Sequence, residues 1–443
     1  PSPFREEKSG CHPPADDHTK GEMTMRRDRP RVVVVGAGFG GLWAVRTLAF
    51  EPVEVLLVDR RNHHTFLPLL YQVAAAEIEP EAIAFPIRGL LRRFPNVGFE
   101  MAEIRRIDAE ARRLETDGPP IPYDFLILAP GSVEHTFGVP GVAEHAFFLK
   151  TLDQAIDLRN HILASFERAA REPDPSRRRR MLPFTIVGGG PTGVEFAGAL
   201  AELIARPLRR DFPTLDFREI QVVLLEAMEG LLPGLPDPLR AYAAARLRRL
   251  GVDVRLRALV EAVEPGRVRL KDGASIETGT VVWTAGVKGN PLGETLGLPL
   301  GPGGRVRISS TLQVPGWPEI YGVGDLAFPE GAGRLPMVAP VAIQQGALAA
   351  RNILRVLEGR PPQPFRYRDP GTLVTIGRNA AVAHVFGRSF TGFPAWLLWL
   401  GVHLVRLIGM RNRLVVLSGW AWDYLFYERA VRLILPSPPV RGK

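Results

Sequence analysis

Two short glycine-rich runs carry the residues of this chain best suited to chemistry: Gly36-Ala37-Gly38-Phe39-Gly40-Gly41 and Gly188-Gly189-Gly190-Pro191-Thr192-Gly193. In each, the first glycine permits a tight turn, the third residue lets the backbone approach a pyrophosphate, and the sixth lets a helix pack closely on a strand. A helix opening behind such a run offers unpaired N–H groups and the positive end of its dipole to phosphates. An acid closes the next apolar segment in both cases: Asp59, 23 positions after Gly36, and Glu226, 38 positions after Gly188. A carboxylate there accepts from the ribose hydroxyls of an adenosine, and Glu226 would repel a 2′-phosphate, which favours NADH over NADPH.

The elements that must position these residues read as two copies of one pattern. Residues 31–36 (RVVVVG) form a β-branched run typical of a buried parallel strand, 40–49 a helix, and 53–59 (VEVLLVD) the next strand. Residues 124–131 add another buried strand. The pattern restarts with a strand at 184–188, a helix at 192–203, a strand at 220–226 and a further strand at 281–284. Pro207 and Pro213 argue against one continuous helix through the charged stretch 206–218. Arg177, Arg178, Arg179 and Arg180 read as a solvated linker. A strand at 320–325 follows. The expected fold is α/β, with two Rossmann-like dinucleotide-binding domains, the second inserted in the first, and a C-terminal amphipathic membrane-docking segment. The expected boundaries are a disordered leader at 1–28, an FAD-binding domain at 29–150 and 300–390, an NADH-binding domain at 151–299, and membrane-anchoring helices at 391–443.

Two dinucleotide sites in one chain have a simple use: one holds a flavin permanently, and the other presents a reduced nicotinamide to it. The first unit is the flavin side, because the strand ending at Asp325 returns to it after the insertion. Asp325 is assigned to the flavin's ribityl chain. Cys11 is the only cysteine, so the sequence offers no redox dithiol, Cys-ligated iron–sulfur cluster or multi-Cys zinc site. No HExxH or GxSxG pattern is present either, and no metal is expected.

The net charge is +9. No aromatic–basic module of a nucleic-acid binder accompanies it, so no nucleic acid is expected as a partner. An anionic membrane surface is the better match. Trp396, Trp399, Trp420 and Trp422 crowd a leucine-rich segment that Arg406, Arg411 and Arg413 interrupt. No apolar stretch therefore reaches the length of about 18 residues that a spanning helix needs. Residues 389–443 hold six Arg and one Lys against Asp423 and Glu428, more than half of the net charge. Residues 393–434 are expected to dock on a lipid bilayer surface, making the protein monotopic on the cytoplasmic face of the cell membrane. A buried helix pair or a homodimer through the same segment are the other ways to cover it. His403 reads as a packing residue.

Taken together, the two glycine runs, Val194-Glu195, Trp283-Thr284-Ala285-Gly286, Gly322-Val323-Gly324-Asp325 and Gln344-Gln345-Gly346 resemble the flavoproteins with two dinucleotide-binding domains. Within them the chain is most similar to the single-subunit, non-proton-pumping type II NADH dehydrogenases. Asn62-His63-His64-Thr65-Phe66-Leu67-Pro68-Leu69-Leu70-Tyr71 is similar to that family's flavin-side segment. The resemblance runs from about residue 31 to the C-terminus. It implies tightly bound FAD on Gly36, Gly38, Phe39, Gly41, Asp59, Arg60, His63, Gly131, Asp325 and Gln345. Exchangeable NADH is implied on Gly188, Gly190, Gly193, Glu195, Glu226 and Gly286, with quinone as the final acceptor. Glu195 would orient the nicotinamide or relay a proton, and Gln344 and Gln345 would hydrogen-bond the quinone. The chain departs from the family at Pro340, where a glutamine is usual, and at Pro370, between Asp369 and Gly371, where a lysine is usual.

Two other readings stay open on the sequence. One is a soluble NADH-dependent flavoprotein reductase of an iron–sulfur protein, which needs no cysteine of its own. The other is a non-catalytic redox sensor that binds NADH and FAD without turnover. Disulfide reductases and sulfide:quinone reductases are excluded by the missing active-site cysteines.

Overall fold

The structure, a computed structural model, describes residues 29–297, 300–331, 335–426 and 431–435. The expected leader and the last part of the expected docking segment lie outside these residues. Strand β1 (Arg31–Val35) is a valine run buried on both faces, the environment a central parallel strand needs. Helix α1 (Phe39–Leu48) leads to β2 (Glu54–Asp59), and a short helix α2 (Leu70–Ala74) precedes β3 (Val97–Met101) and β4 (Phe125–Leu128). The chain then builds a second sheet from β5 (Ala146–Phe148), β6 (Phe184–Val187), β7 (Val222–Glu226), β8 (Val252–Leu256) and β9 (Thr280–Trp283). Helices α3 (Leu152–Arg171), α4 (Pro191–Leu203) and α5 (Asp237–Arg249) intervene.

β10 (Gln313–Val314) and β11 (Trp317–Gly322) return to the first sheet, where Ile320, Tyr321 and Gly322 pair in parallel with Leu126, Ile127 and Leu128. The strand orders are β10-β11-β4-β1-β2-β3 and β5-β9-β6-β7-β8. β1 and β6 therefore hold equivalent places, each beside the strand that ends in the acid. The glycine runs leave from their C-terminal ends, the edge at which open parallel sheets bind ligands. Helix α6 (Ala339–Leu357) crosses α1 at very close range: a Cβ on Gly346 would lie 2.1 Å from the Gly40 carbonyl oxygen.

The last described elements are the sheet β12 (Thr372–Thr375), β13 (Ala381–Val385) and β14 (Arg388–Thr391), then α7 (Gly392–Arg406) and α8 (Met410–Phe426). Their inward side chains join the core of the second sheet. Among the described residues no helix is long and apolar enough to cross a membrane.

Local expectations change or sharpen in three places. As expected, no single helix runs through 206–218, although the break comes after Pro207 rather than at it. A π-turn over Ile204–Leu208 widens the backbone around the ring, and helical structure continues to Asp211, ending before Pro213. The four arginines are not linker but lie in a helix, Pro175–Met181, opened by Asp174, whose carboxylate accepts from the Ser176 N–H. Arg179 reaches Glu219 at 3.5 Å. Finally, the tail tryptophans do not form one interfacial belt. Trp399 is fully buried, Trp396 and Trp420 are half-buried against the core, and Trp422 alone of the four is half exposed.

Candidate functional site

Two loops of the same construction stand at the ends of β1 and β6. Gly36 has φ +97° and donates its N–H to the Val58 carbonyl at 2.8 Å; Gly188 has φ +112° and donates to the Leu225 carbonyl at 2.8 Å. A Cβ on Gly41 would lie 1.8 Å from the Gly36 carbonyl oxygen, and one on Gly193 would lie 1.9 Å from that of Gly188. These distances admit no side chain. At Gly38 and Gly190 a Cβ would meet nothing within 4 Å, so space is open in front of the helix N-terminus in both loops. The residues present thus fit a pyrophosphate on each loop.

The two acids complete the likeness. Asp59 accepts from the Ala37 N–H at 2.7 Å and from the Arg61 N–H at 2.8 Å. Glu226 accepts from the Gly189 N–H at 2.6 Å and from the Met228 N–H at 2.7 Å. One lone pair on each carboxylate oxygen remains for a ribose hydroxyl.

Around the first loop, Asp325 sits just beyond β11 and accepts from the Ser132 hydroxyl at 2.5 Å; the Lys150 ammonium lies 3.5 Å away. Ser132 follows Gly131, whose φ is +77°. Gln345 is buried and its Oε1 accepts from the Gly324 N–H at 2.7 Å. Phe39 opens α1 and meets His64 edge-on at 5.2 Å. His63 bonds Asn62 at 3.1 Å, and burial lowers its pKa. Arg60 is exposed. Gly286, with φ +107°, packs against Phe137 near the second loop.

Glu195 does not stand at the glycine loop. It lies on the buried face of α4 and lines a cavity of about 470 Å³ between that helix, α2, β12 and the C-terminal helices. Tyr71, Gln72, Trp399 and Trp420 line the same cavity. The Thr375 N–H donates to Glu195 Oε1 at 3.4 Å. Burial pushes the Glu195 carboxyl up to about 8, opposed by the Thr375 N–H and the Trp399 indole and reinforced by the Glu77 carboxylate.

Gln344 is not at hand for a ligand. Its Nε2 donates to the Arg368 carbonyl at 2.8 Å and its Oε1 accepts from the Arg368 N–H at 3.1 Å. Neither Gln344 nor Gln345 lines the Glu195 cavity. Pro340 is accommodated in the first turn of α6, where no intrahelical N–H is required. Pro370 lies in a turn closed by the Gly371 N–H donating to Asp369 at 2.8 Å.

Several residues of these sites carried no separable signal in the sequence. The His64 ring donates from Nδ1 to the Ala37 carbonyl at 2.8 Å, bracing the first loop from outside. Burial lowers the pKa of that imidazole, opposed by its bond to the Ala37 carbonyl and by the Asp59 carboxylate. Lys150 reaches Asp325 from the connection between β5 and α3, 175 positions away.

The pyridine nucleotide-disulphide oxidoreductase family profile matches residues 30–346. A type II NADH:quinone oxidoreductase of Mycobacterium tuberculosis is 40% identical over 416 residues, spanning 90% of this chain and 89% of its own length. A Staphylococcus aureus protein of the same description is 32% identical over 84% of this chain and 93% of its own. NDH2 of Plasmodium falciparum, solved in complex with NADH, superposes with a TM-score of 0.85 over 92% of this chain and all of that one. At 18% identity that is a likeness of fold.

Proposed function

This chain belongs to the pyridine nucleotide-disulphide oxidoreductase family and within it to the type II NADH:quinone oxidoreductases, and from that premise we propose how its residues divide the work. FAD, when bound, supplies the two-electron chemistry that accepts a hydride and passes electrons on singly or in pairs. The first loop holds it: the N–H groups opening α1 meet the pyrophosphate across Gly38, and Asp59 uses its remaining lone pairs on the adenosine ribose. Asp325, fixed by Ser132 and faced by Lys150, takes the ribityl hydroxyls. Phe39, Arg60, His63, Gly131 and Gln345 complete that side.

The second loop holds NADH as the exchangeable substrate. Gly188, Gly190, Gly193 and Gly286 leave room for the backbone to approach it. Glu226 accepts from the 2′-hydroxyl and repels a 2′-phosphate, which sets the preference for NADH. Glu195 retains its proton at neutral pH and donates it to a quinone oxygen in the cavity as the electrons arrive. Gln344 acts by clamping the Arg368 backbone.

Leu397, Leu398, Val405, Met410, Leu414 and Leu417 are exposed on α7 and α8 beside Arg406 and Arg411. We assign this apolar, basic face to a bilayer surface on the cytoplasmic side, where a lipid-soluble quinone and NADH are both within reach. The observation that carries the whole reading is the loop-and-carboxylate geometry built twice, on two parallel sheets of one chain. Steady-state NADH oxidation by flavin-loaded protein with a water-soluble quinone tests it. Quinone-dependent turnover supports the reading, and absence of turnover overturns it.

A further inference from the structure

Helix α8 has two working faces. Asn412, Val416 and Trp420, four residues apart, turn inward; Leu414, Leu417 and Leu425 are exposed. Asn412 donates to the carbonyls of Glu81 at 3.4 Å and Ala84 at 3.0 Å. Eight residues on, Trp420 Nε1 donates to Gln72 Oε1 at 3.0 Å, and Gln72 Nε2 donates to the Tyr71 hydroxyl oxygen at 3.1 Å. Gln72 and Tyr71 are buried.

The direction of this chain of hydrogen bonds is forced by its first member. An indole N–H can only donate, so the Gln72 amide must turn its oxygen to Trp420 and its NH₂ to Tyr71. Tyr71 is then the acceptor in that bond, and its own proton is left to donate. Among the described residues no protein oxygen takes that proton, although buried hydroxyls are rarely left without an acceptor. Tyr71 lines the cavity that also holds Glu195, with the Trp399 ring 6.5 Å from its own.

We propose that Trp420 and Gln72 are positioning residues that hold the Tyr71 hydroxyl as a hydrogen-bond donor toward a carbonyl oxygen of the quinone in the Glu195 cavity. This rests on the quinone-reductase reading above. It ties the orientation of a donor in the cavity to the helix whose opposite face is assigned to the membrane.

The test separates the two half-reactions by stopped-flow absorbance and closes a mutant cycle on Trp420→Phe and Tyr71→Phe. Trp420→Phe removes the indole N–H and keeps an aromatic ring. Flavin reduction by NADH should stay within about twofold of wild type in all variants, while reoxidation by a short-chain quinone slows about threefold to tenfold in each single variant. The double variant should be no slower than Tyr71→Phe alone. In oxidised protein, quinone affinity followed by tryptophan fluorescence quenching should weaken by a similar factor in Tyr71→Phe. Gln72→Met, which leaves α8 unaltered, should reproduce the Trp420→Phe effect. Additive slowing in the double variant, or wild-type reoxidation in Tyr71→Phe, overturns the proposal. If quinone fails to reoxidise the wild-type flavin, the functional reading itself is overturned.

Discussion

Asp59 and Glu226 make the same two hydrogen bonds in two different sheets: each accepts from the N–H of the second residue of its glycine run and from the N–H two residues beyond itself. A carboxylate so placed does two things at once. It closes the loop from within, and it presents its remaining lone pairs where an adenosine ribose would lie.

Exchanging either acid for its amide should therefore separate the two units. Asn at position 59 turns one acceptor into a donor that faces a backbone N–H. Asp59→Asn is expected to purify with much less than one FAD per chain, read from the ratio of flavin to protein absorbance. Glu226→Gln should keep its flavin, raise KM for NADH about tenfold, and narrow the NADH over NADPH preference. An unchanged preference in Glu226→Gln would remove Glu226 from the nucleotide site.

The two close-approach glycines give a second pair of expectations. A methyl on Gly41 or Gly193 would sit under 2 Å from a carbonyl oxygen of its own loop, so the helix must move off the strand. Gly41→Ala should lose FAD. Gly193→Ala should retain FAD but be reduced by NADH at least about tenfold more slowly at fixed NADH, because the helix N-terminus has shifted from the pyrophosphate. Equal flavin content in both variants, with equal NADH kinetics, would show that neither approach is needed.

Glu195 gives the pH dependence. Burial raises its carboxyl from 4.5 to about 8, so the folded protein holds a proton there that the unfolded chain has released. Stability then falls as pH rises from about 4.5 to about 8 and levels off above that range. Glu195→Gln should flatten this part of the profile in chemical denaturation. In the wild type, flavin reoxidation by quinone should decline above about pH 8 as the carboxyl loses its proton; Glu195→Gln should be slow throughout and lack that decline. An identical pH profile in the variant would take Glu195 out of proton delivery.

Docking on a bilayer predicts a graded loss. Replacing Leu414 and Leu417, both exposed on α8, with Glu removes apolar burial worth on the order of 1.5–3 kcal/mol per side chain. Vesicle co-sedimentation should fall at least tenfold, and less steeply at high salt, which screens the repulsion between the new glutamates and anionic lipid. NADH oxidation with a water-soluble quinone should persist. Unchanged sedimentation, with a dimer by light scattering that the substitutions dissolve, would assign this face to a second copy of the chain.

What the sequence made legible was local. The glycine at position 36 and the one at 41 announce themselves because a positive φ and a sub-2 Å approach exclude every other residue, and the valine run of β1 is visible because both its faces are buried. Likewise Asp59 and Glu226 end their strands in register with the runs. The rest depends on contacts between distant segments. Trp420 meets Gln72 across 348 positions and Lys150 meets Asp325 across 175; no spacing rule encodes such pairs. Pro207 and Pro213 do forbid one continuous helix through 206–218, but the π-turn that carries the chain past Pro207 has no signature in the sequence. The tail tryptophans mislead because amphipathic helices can bury their large side chains inward, as Trp399 does, and leave leucines outside. Gln344 looks free in the sequence and is held by Arg368 at both ends of its amide.

The central claim is that electrons pass from NADH through a flavin on this chain to a quinone. An anaerobic absorbance titration of the purified protein tests it most directly. Oxidised flavin bands corresponding to near one flavin per chain should be bleached by stoichiometric NADH and restored on adding a quinone with air still excluded. Bands that NADH leaves unbleached, or that stay bleached until oxygen is admitted whatever quinone is added, would contradict it.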